Sequence, residues 1–283
     1  MSDRHLKMTL PTPAPAFAWR HSPFGPALEC TPLAAHAWHL FTTRGWALGS
    51  RQRHLEDPAP WHEVAEAIGV NTSQLVHPRQ VHGAHVVEAK ANTSPGDADI
   101  LIGNDPAVAM AVQAADCVPL LLADPRTGAV AAAHAGWRGM VARAPQRAVE
   151  ALVLRYGAHP SDLVAALGPS IGACCYEVGD DVLQAFVEAG MADALKRWFL
   201  DRRPVISKSP AYVSLPAEAR SGHWFFDGWQ CVRDELREAG LLDEQIHSPQ
   251  LCTASHPALL CSYRRDGTSA GRLAAIIRPR HRR

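Results

Sequence analysis

Short β-favouring runs alternating with amphipathic helical stretches predict an α/β or α+β sheet protein. The stretch from Ala111 to Met140 carries much of that prediction. It holds two apolar runs, Cys117 to Ala123 and Ala129 to Ala133, either side of the turn Asp124-Pro125-Arg126-Thr127-Gly128, which reads as a β-hairpin. Just downstream, Val149, Leu152, Val153 and Tyr156 follow the spacing of one helix face, with Pro145 suited to its start and Gly157 to its stop. A chain of 283 residues, 47% of them hydrophobic, can bury a substantial core. Its 28 basic and 28 acidic residues leave a formal net charge of +0, so no overall field steers it to nucleic acid or an anionic membrane. No apolar run approaches the ~18 residues of a membrane span, and a cytoplasmic protein is expected.

Taken in order, residues 1–36 hold Pro11, Pro13, Pro15, Pro23 and Pro26 with little periodicity and are expected to be an irregular extension. Ala37 to Arg44 is β-favouring and ends at Gly45, so a strand should deliver Arg44 to a loop. Trp61 to Ile68 predicts a short helix stopped by Gly69. Gln80 to Ala89 predicts a strand interrupted at Gly83, with His82 beside the break, and Asp97 to Ile102 a further strand. Leu163 to Leu167 should be a strand running into Gly168-Pro169-Ser170-Ile171-Gly172. Asp180 to Ala189 and Gly228 to Ala239 predict amphipathic helices, the second capped by Asp227, while Ser207 to Gly222 is turn-rich and reads as loop. The strand Leu273 to Ile277 and a solvated basic tail from Arg278 to Arg283 close the chain. Neither an internal repeat nor a domain boundary is visible.

Several chemistries lack their motif. No GxGxxG follows a strand, and neither GxxxxGK[ST] nor GxSxG occurs. Seven cysteines without a CxxC argue against a disulfide framework and a zinc ribbon. His77, His82 and His85 lack the i,i+4 spacing that would place two ligands on one helix face. A sparse set of soft ligands and nucleophiles is left. Cys117 opens the first run of the hairpin and His134 follows the second, so antiparallel pairing would bring them to the same end of the sheet.

Five motifs then occur together and in order: QVHG at 80–83, ADC at 115–117 with Pro119, HAGWRG at 134–139, GPSIGACCYEV at 168–178 and SYRRDGTSAGR at 262–272. Together they resemble the YfiH-like family, also called the laccase-domain, polyphenol oxidase or peptidoglycan editing factor family. The resemblance spans residues 37–278, with 1–36 as the extension and 279–283 as the tail. It implies a single four-layered α/β/β/α-type domain with mixed β-sheets and a metal-capable pocket at His82, Cys117 and His134. Taken singly, Cys117 reads as a packed thiol and the two histidines as core imidazoles; the company of the other motifs favours chemistry.

Activities assigned to the family include copper-dependent phenol oxidation, phosphorolysis of adenosine, inosine and methylthioadenosine, and adenosine deamination. A multicopper oxidase needs many imidazoles around several coppers, whereas one ligand set is evident here. Zinc is therefore the expected cofactor, with copper as the alternative, and its bound water suits deamination. Phosphorolysis requires phosphate to be held, and Arg44, Arg138 and Arg264 are the candidates, each of which alone would read as a surface ion pair. The expected partners are a purine nucleoside and phosphate, with neither nucleic acid nor membrane. A cysteine hydrolase using Cys117 as nucleophile and His134 as base, acting on a cell-wall peptide precursor, is the second reading; a non-enzymatic zinc-binding or partner-binding protein is the third. Family members carry a Gly-Gly-Val-Ser-like loop after the FTTR strand, whereas here Gly45-Trp46-Ala47-Leu48-Gly49-Ser50 leads quickly to Trp61, which leaves substrate preference open.

Overall fold

The computed structural model describes residues 9–49, 59–210 and 215–280. Met1 to Met8 of the extension, Ser50 and the following residues to 58, residues 211–214 of the expected loop, and tail residues 281–283 lie outside that range.

Two six-stranded sheets dominate. The first runs in the spatial order β1 (Phe17–Ser22), β2 (Gly25–Cys30), β3 (Ala37–Phe41), β15 (Leu273–Pro279), β7 (Ala109–Ala114) and β4 (Leu75–Val76). The second runs β14 (Ile246–His247), β10 (Val164–Leu167), β8 (Val118–Ala123), β9 (Val130–Ala135), β6 (Ile100–Gly103) and β5 (Val86–Glu88). Both are mixed: β4 is parallel to β7, while β14 and β5 are parallel to β10 and β6, in sheets otherwise antiparallel. A small third sheet joins β11 (Glu177–Gly179), β13 (His223–Phe226) and β12 (Phe199–Leu200).

The period-two alternation of strand side chains separates the layers. In β8 and β9, Leu120, Leu122, Ala131 and Ala133 pack towards Ala148, Val149 and Leu152 of helix Ala144–Tyr156 and Val232 and Leu236 of helix Gly228–Glu238. The intervening Leu121, Ala123, Val130 and Ala132 face Met110, Val112, Ala275 and Ile277 of the first sheet. That sheet's other face presents Leu40, Ala111, Ala274 and Ile276 to Trp61, Val64 and Ala65 of helix Ala59–Ile68. The order is helix, sheet, sheet, helix, the four-layered arrangement expected. Each fully buried Leu or Ile in these clusters stabilises the fold by about 1.5–3 kcal/mol.

The expected hairpin and helices form, and local chemistry supports their ends. Gly157 closes its helix in the left-handed region at φ 67, where a side chain would be strained. Asp227 accepts a hydrogen bond from the Gln230 N–H at 3.0 Å as the N-cap of its helix.

Three expectations differ from the structure. Residues 17–30 form a hairpin, β1 and β2, that extends the first sheet instead of remaining irregular. Pro11, Pro13 and Pro15 all precede it, Pro23 lies in its turn and Pro26 is the second residue of β2, so the proline density hid a ladder whose Phe17, Leu28 and Cys30 are buried. The strand expected over Gln80 to Ala89 is reduced to β5, because the N–H groups of Val81, His82 and Gly83 turn to a carboxylate and cannot join a ladder. The start of the basic tail is not free either: β15 runs on to Pro279, and Arg278 donates to the Pro106 carbonyl at 3.2 Å.

Glu235, on helix Gly228–Glu238, is fully buried; Oε1 accepts a weak 3.6 Å bond from the Cys231 thiol, and Oε2 has no partner among the described residues. Burial pushes its carboxyl well above the ordinary range. A raised folded-state pKa stabilises below the unfolded value, near 4.3, and that stability is lost as pH rises, at about 1.4 kcal/mol per unit up to the folded pKa. Glu235→Gln should abolish this component. Urea unfolding at stepped pH is expected to show the variant gaining on the unmodified protein as pH rises; parallel curves would refute the assignment.

Candidate active site

The register of β8 and β9 places two of the three expected ligands. Val118 pairs with Ala135 and Pro119 with His134, so Cys117, just before β8, and His134, near the end of β9, stand together at one end of the second sheet. His82 arrives from the loop between β4 and β5. One donor atom from each of these residues lies within 4.8 Å of the others, and the two imidazole centroids are 4.9 Å apart at 79°.

The constraint that assembles them is Asp99, just ahead of β6 and fully buried. Its carboxylate accepts the consecutive N–H groups of Val81, His82 and Gly83 at 3.2, 3.0 and 2.7 Å, a backbone concavity closed on an anion. This holds His82 in the left-handed region at φ 62, which a non-glycine residue adopts only when its surroundings impose it. The same carboxylate lies 2.9 Å from His134 Nδ1. A carboxylate only accepts, so Nδ1 carries a proton and Nε2 is the ring nitrogen left to face the pocket.

Cys117 is set by its neighbour. Asp116 also has positive φ, 91°, and its carboxylate accepts from Thr253 Oγ1 and from the Arg264 N–H, both at 2.6 Å, while its carbonyl accepts from the Ile171 N–H at 2.9 Å. The ADC, GPSIG and SYRRDG motifs are thus tied at one residue. Gly136 is required beside them: a Cβ there would come within 2.9 Å of Cys117 Sγ and 3.3 Å of the His82 ring.

These contacts polarise the pair. Burial pushes the Cys117 thiol up, yet the charge and hydrogen bonding of His134, with a further hydrogen bond from His82, outweigh it and bring the thiol down to about 6. Burial lowers His134, but Cys117 and Asp99 raise it to about 9. Free of metal, the pair is thiolate and imidazolium. Burial alone would raise Asp99, and the bonds from His134 and the Gly83 and Val81 N–H groups hold it below the ordinary carboxylate range.

The trio opens into a cavity of about 1150 Å³ also lined by Trp137, Arg138, Tyr176 and Arg264. Arg138 stacks at 4.1 Å over Trp137. Arg264 donates to the Glu177 carbonyl at 2.7 Å and lies 5.0 Å from the Tyr176 ring. Arg44 does not line the cavity. Its strand ends in the turn Arg44–Trp46, where Trp46 takes the buried position, and the guanidinium donates to the Pro257 carbonyl at 2.8 Å and faces Asp266 at 3.7 Å.

Sequence reasoning missed Asp99, Gln113 and the lining arginines 79 and 272. Gln113 exchanges 2.7 Å bonds with Gln80 through its backbone, while its own Nε2 is buried without a partner among the described residues. Asp99 did leave a signal: an acid opening a wholly apolar strand is rarely buried unless it is paired.

The family described as multi-copper polyphenol oxidoreductase laccase matches residues 58–280. A protein of Deinococcus radiodurans named purine nucleoside phosphorylase is 36% identical over 265 residues, which cover 89% of this chain and 92% of that one. One from an unknown prokaryotic organism, named adenosine deaminase RL5, is 31% identical over 219 residues, covering 74% and 76% respectively. The crystal structure of the Bacillus licheniformis hypothetical protein YfiH superposes with a TM-score of 0.78 over 93% of this chain and 99% of that one; at 24% identity this likeness speaks for the fold alone.

Two outcomes follow from the geometry. In chelator-stripped protein, Cys117 should react with iodoacetamide along a titration centred at about 6, against about 8.5 for an ordinary thiol; the other six cysteines are buried and should stay silent. A midpoint above 8 would contradict the thiolate–imidazolium pair. Asp99→Asn should weaken metal binding at the trio by about 10- to 100-fold, measured by competition with a chromogenic chelator; unchanged affinity would show that Asp99 does not support it.

Proposed function

We propose a purine nucleoside phosphorylase, with adenosine deaminase activity at the same pocket, on a plain premise: the chain belongs to the family described as multi-copper polyphenol oxidoreductase laccase. The observation that carries this reading is the sharing of one cavity by a His-Cys-His trio and several arginines. Relatives named for both activities support it. Adenosine, inosine and methylthioadenosine are the nucleosides to be tested.

The donors fit a metal. His134 offers Nε2 because Nδ1 is committed to Asp99, and two imidazoles with one thiolate suit zinc, with copper as the alternative. Such an ion would supply a bound water of lowered pKa for deamination. The remaining work falls to the chain itself. Arg138, exposed at the cavity and without an acidic partner among the described residues, holds the phosphate dianion. Arg264, anchored on Glu177, adds positive charge while keeping Asp116 and hence Cys117 in place.

A second reading has its own observation. Cys117, His134 and Asp99 make a nucleophile, a base and an orienting acid, the arrangement of a cysteine hydrolase, and a cell-wall peptide precursor would be its substrate. Copper-dependent polyphenol oxidation has less support, since only one group of donors among the described residues contains imidazole.

Purified protein incubated with each nucleoside, with and without phosphate and chelator, separates these readings when free base, ribose 1-phosphate and ammonia are measured individually. Phosphate-dependent base release with ribose 1-phosphate is expected. Arg138→Ala should lower it by about 10- to 100-fold while affecting ammonia release less, and Arg44→Ala should change both little. Base release indifferent to phosphate would sink the phosphorylase, and peptide hydrolysis surviving the chelator would favour the cysteine nucleophile.

A further inference from the structure

Behind the cavity wall lies a second group of donors with no part in the function just described. The Sγ atoms of Cys174, Cys175 and Cys252 all lie within 4.8 Å of one another, and those of Cys174 and Cys175 are 3.7 Å apart. All three residues are fully buried. We propose that this cluster is a structural site for a thiophilic d10 cation, zinc(II) or copper(I), distinct from the pocket trio.

Spacing is the first support. Metal–sulfur bonds of about 2.3 Å place neighbouring sulfurs about 3.8 Å apart around a tetrahedral ion and about 4.0 Å apart around a trigonal one. The Cys174–Cys175 separation already matches, although adjacent cysteines are poorly placed to bridge one another. Softness is the second support, because thiolate donors select copper(I) and zinc over harder cations.

The third is convergence. Cys174 and Cys175 follow the GPSIG turn, whereas Cys252 comes from a distant segment paired at Ser170. Cys252 N–H donates to Ser209 Oγ at 2.7 Å, and that hydroxyl donates to the Gln250 carbonyl at 2.8 Å, so the thiol is held from two sides. Ser255 Oγ stands 3.5 Å from Cys175 Sγ and 3.9 Å from Cys174 Sγ, so the sulfurs are bordered by a hydroxyl as well.

Loading breaks three S–H bonds, forms three sulfur–metal bonds and releases the protons to water, with no change of oxidation state. The ion would clamp two segments that both reach the pocket: Tyr176 lines it, and Thr253 holds Asp116. The cluster accordingly supports the pocket without touching substrate.

Cys117→Ser protein, in which the pocket trio is disabled, separates the two sites. Reconstituted without oxygen, in parallel with zinc(II), copper(I) or cobalt(II), it should retain about one equivalent of metal per chain. The cobalt form should show the near-ultraviolet thiolate-to-cobalt absorption. Adding Cys174→Ala and Cys175→Ala should remove both, with circular dichroism confirming the fold. Should that variant fail to fold, the cobalt absorption of Cys117→Ser alone decides. Folded Cys117→Ser protein that retains none of the three cations and lacks the absorption would overturn the proposal. Retention of zinc or of copper identifies which cation is preferred, and neither result depends on nucleoside turnover.

Discussion

One buried carboxylate holds the candidate site together. Asp99 lies between a loop that cannot join either sheet and a histidine that belongs to one, and it bonds both at once. A buried carboxylate without partners is costly, by several kcal/mol; four N–H donors around this one offset that cost and make the arrangement specific. Its own carbonyl accepts the His134 N–H at 2.8 Å, so the residue fixes the strand as well as the ring. The tautomer of His134, the backbone of His82 and the direction each imidazole faces follow from a side chain that never reaches the cavity.

Half of the site was legible because strand register is a local property. Once Asp124 to Gly128 is read as a turn, the meeting of Cys117 and His134 follows from counting residues back along two antiparallel runs. His82 was identifiable only through its resemblance to a family motif, since its positive φ depends on an acid 17 residues away. Arg44 misled because a strand end says where a residue stands and not which way the next turn faces; the burial of Trp46 decided that. The hairpin over residues 17–30 was obscured by composition, in that prolines in a turn, ahead of a strand or at its first residues weigh as much in a count as prolines that break one.

The two leading functional readings draw on the same atoms in different states. His134 Nε2 can carry a proton or bind a metal, but not both, and Cys117 is correspondingly a nucleophile in an ion pair or a ligand. Metal loading therefore selects between them.

The knot at Asp116 bears on when the pocket exists during synthesis. Its carboxylate partners, Thr253 and Arg264, lie 137 and 148 residues further along the chain. A growing polypeptide can zip β8 to β9 early and then tie the Asp116 carbonyl to the Ile171 N–H, yet the Asp116 carboxylate has neither of these partners until residues 253–264 have been made. Until then the residue before Cys117 is tethered through its carbonyl alone, while His134 already stands opposite across the hairpin. The thiol's charge partner thus comes from a neighbouring strand, whereas the last support of its backbone comes from segments well over a hundred residues away.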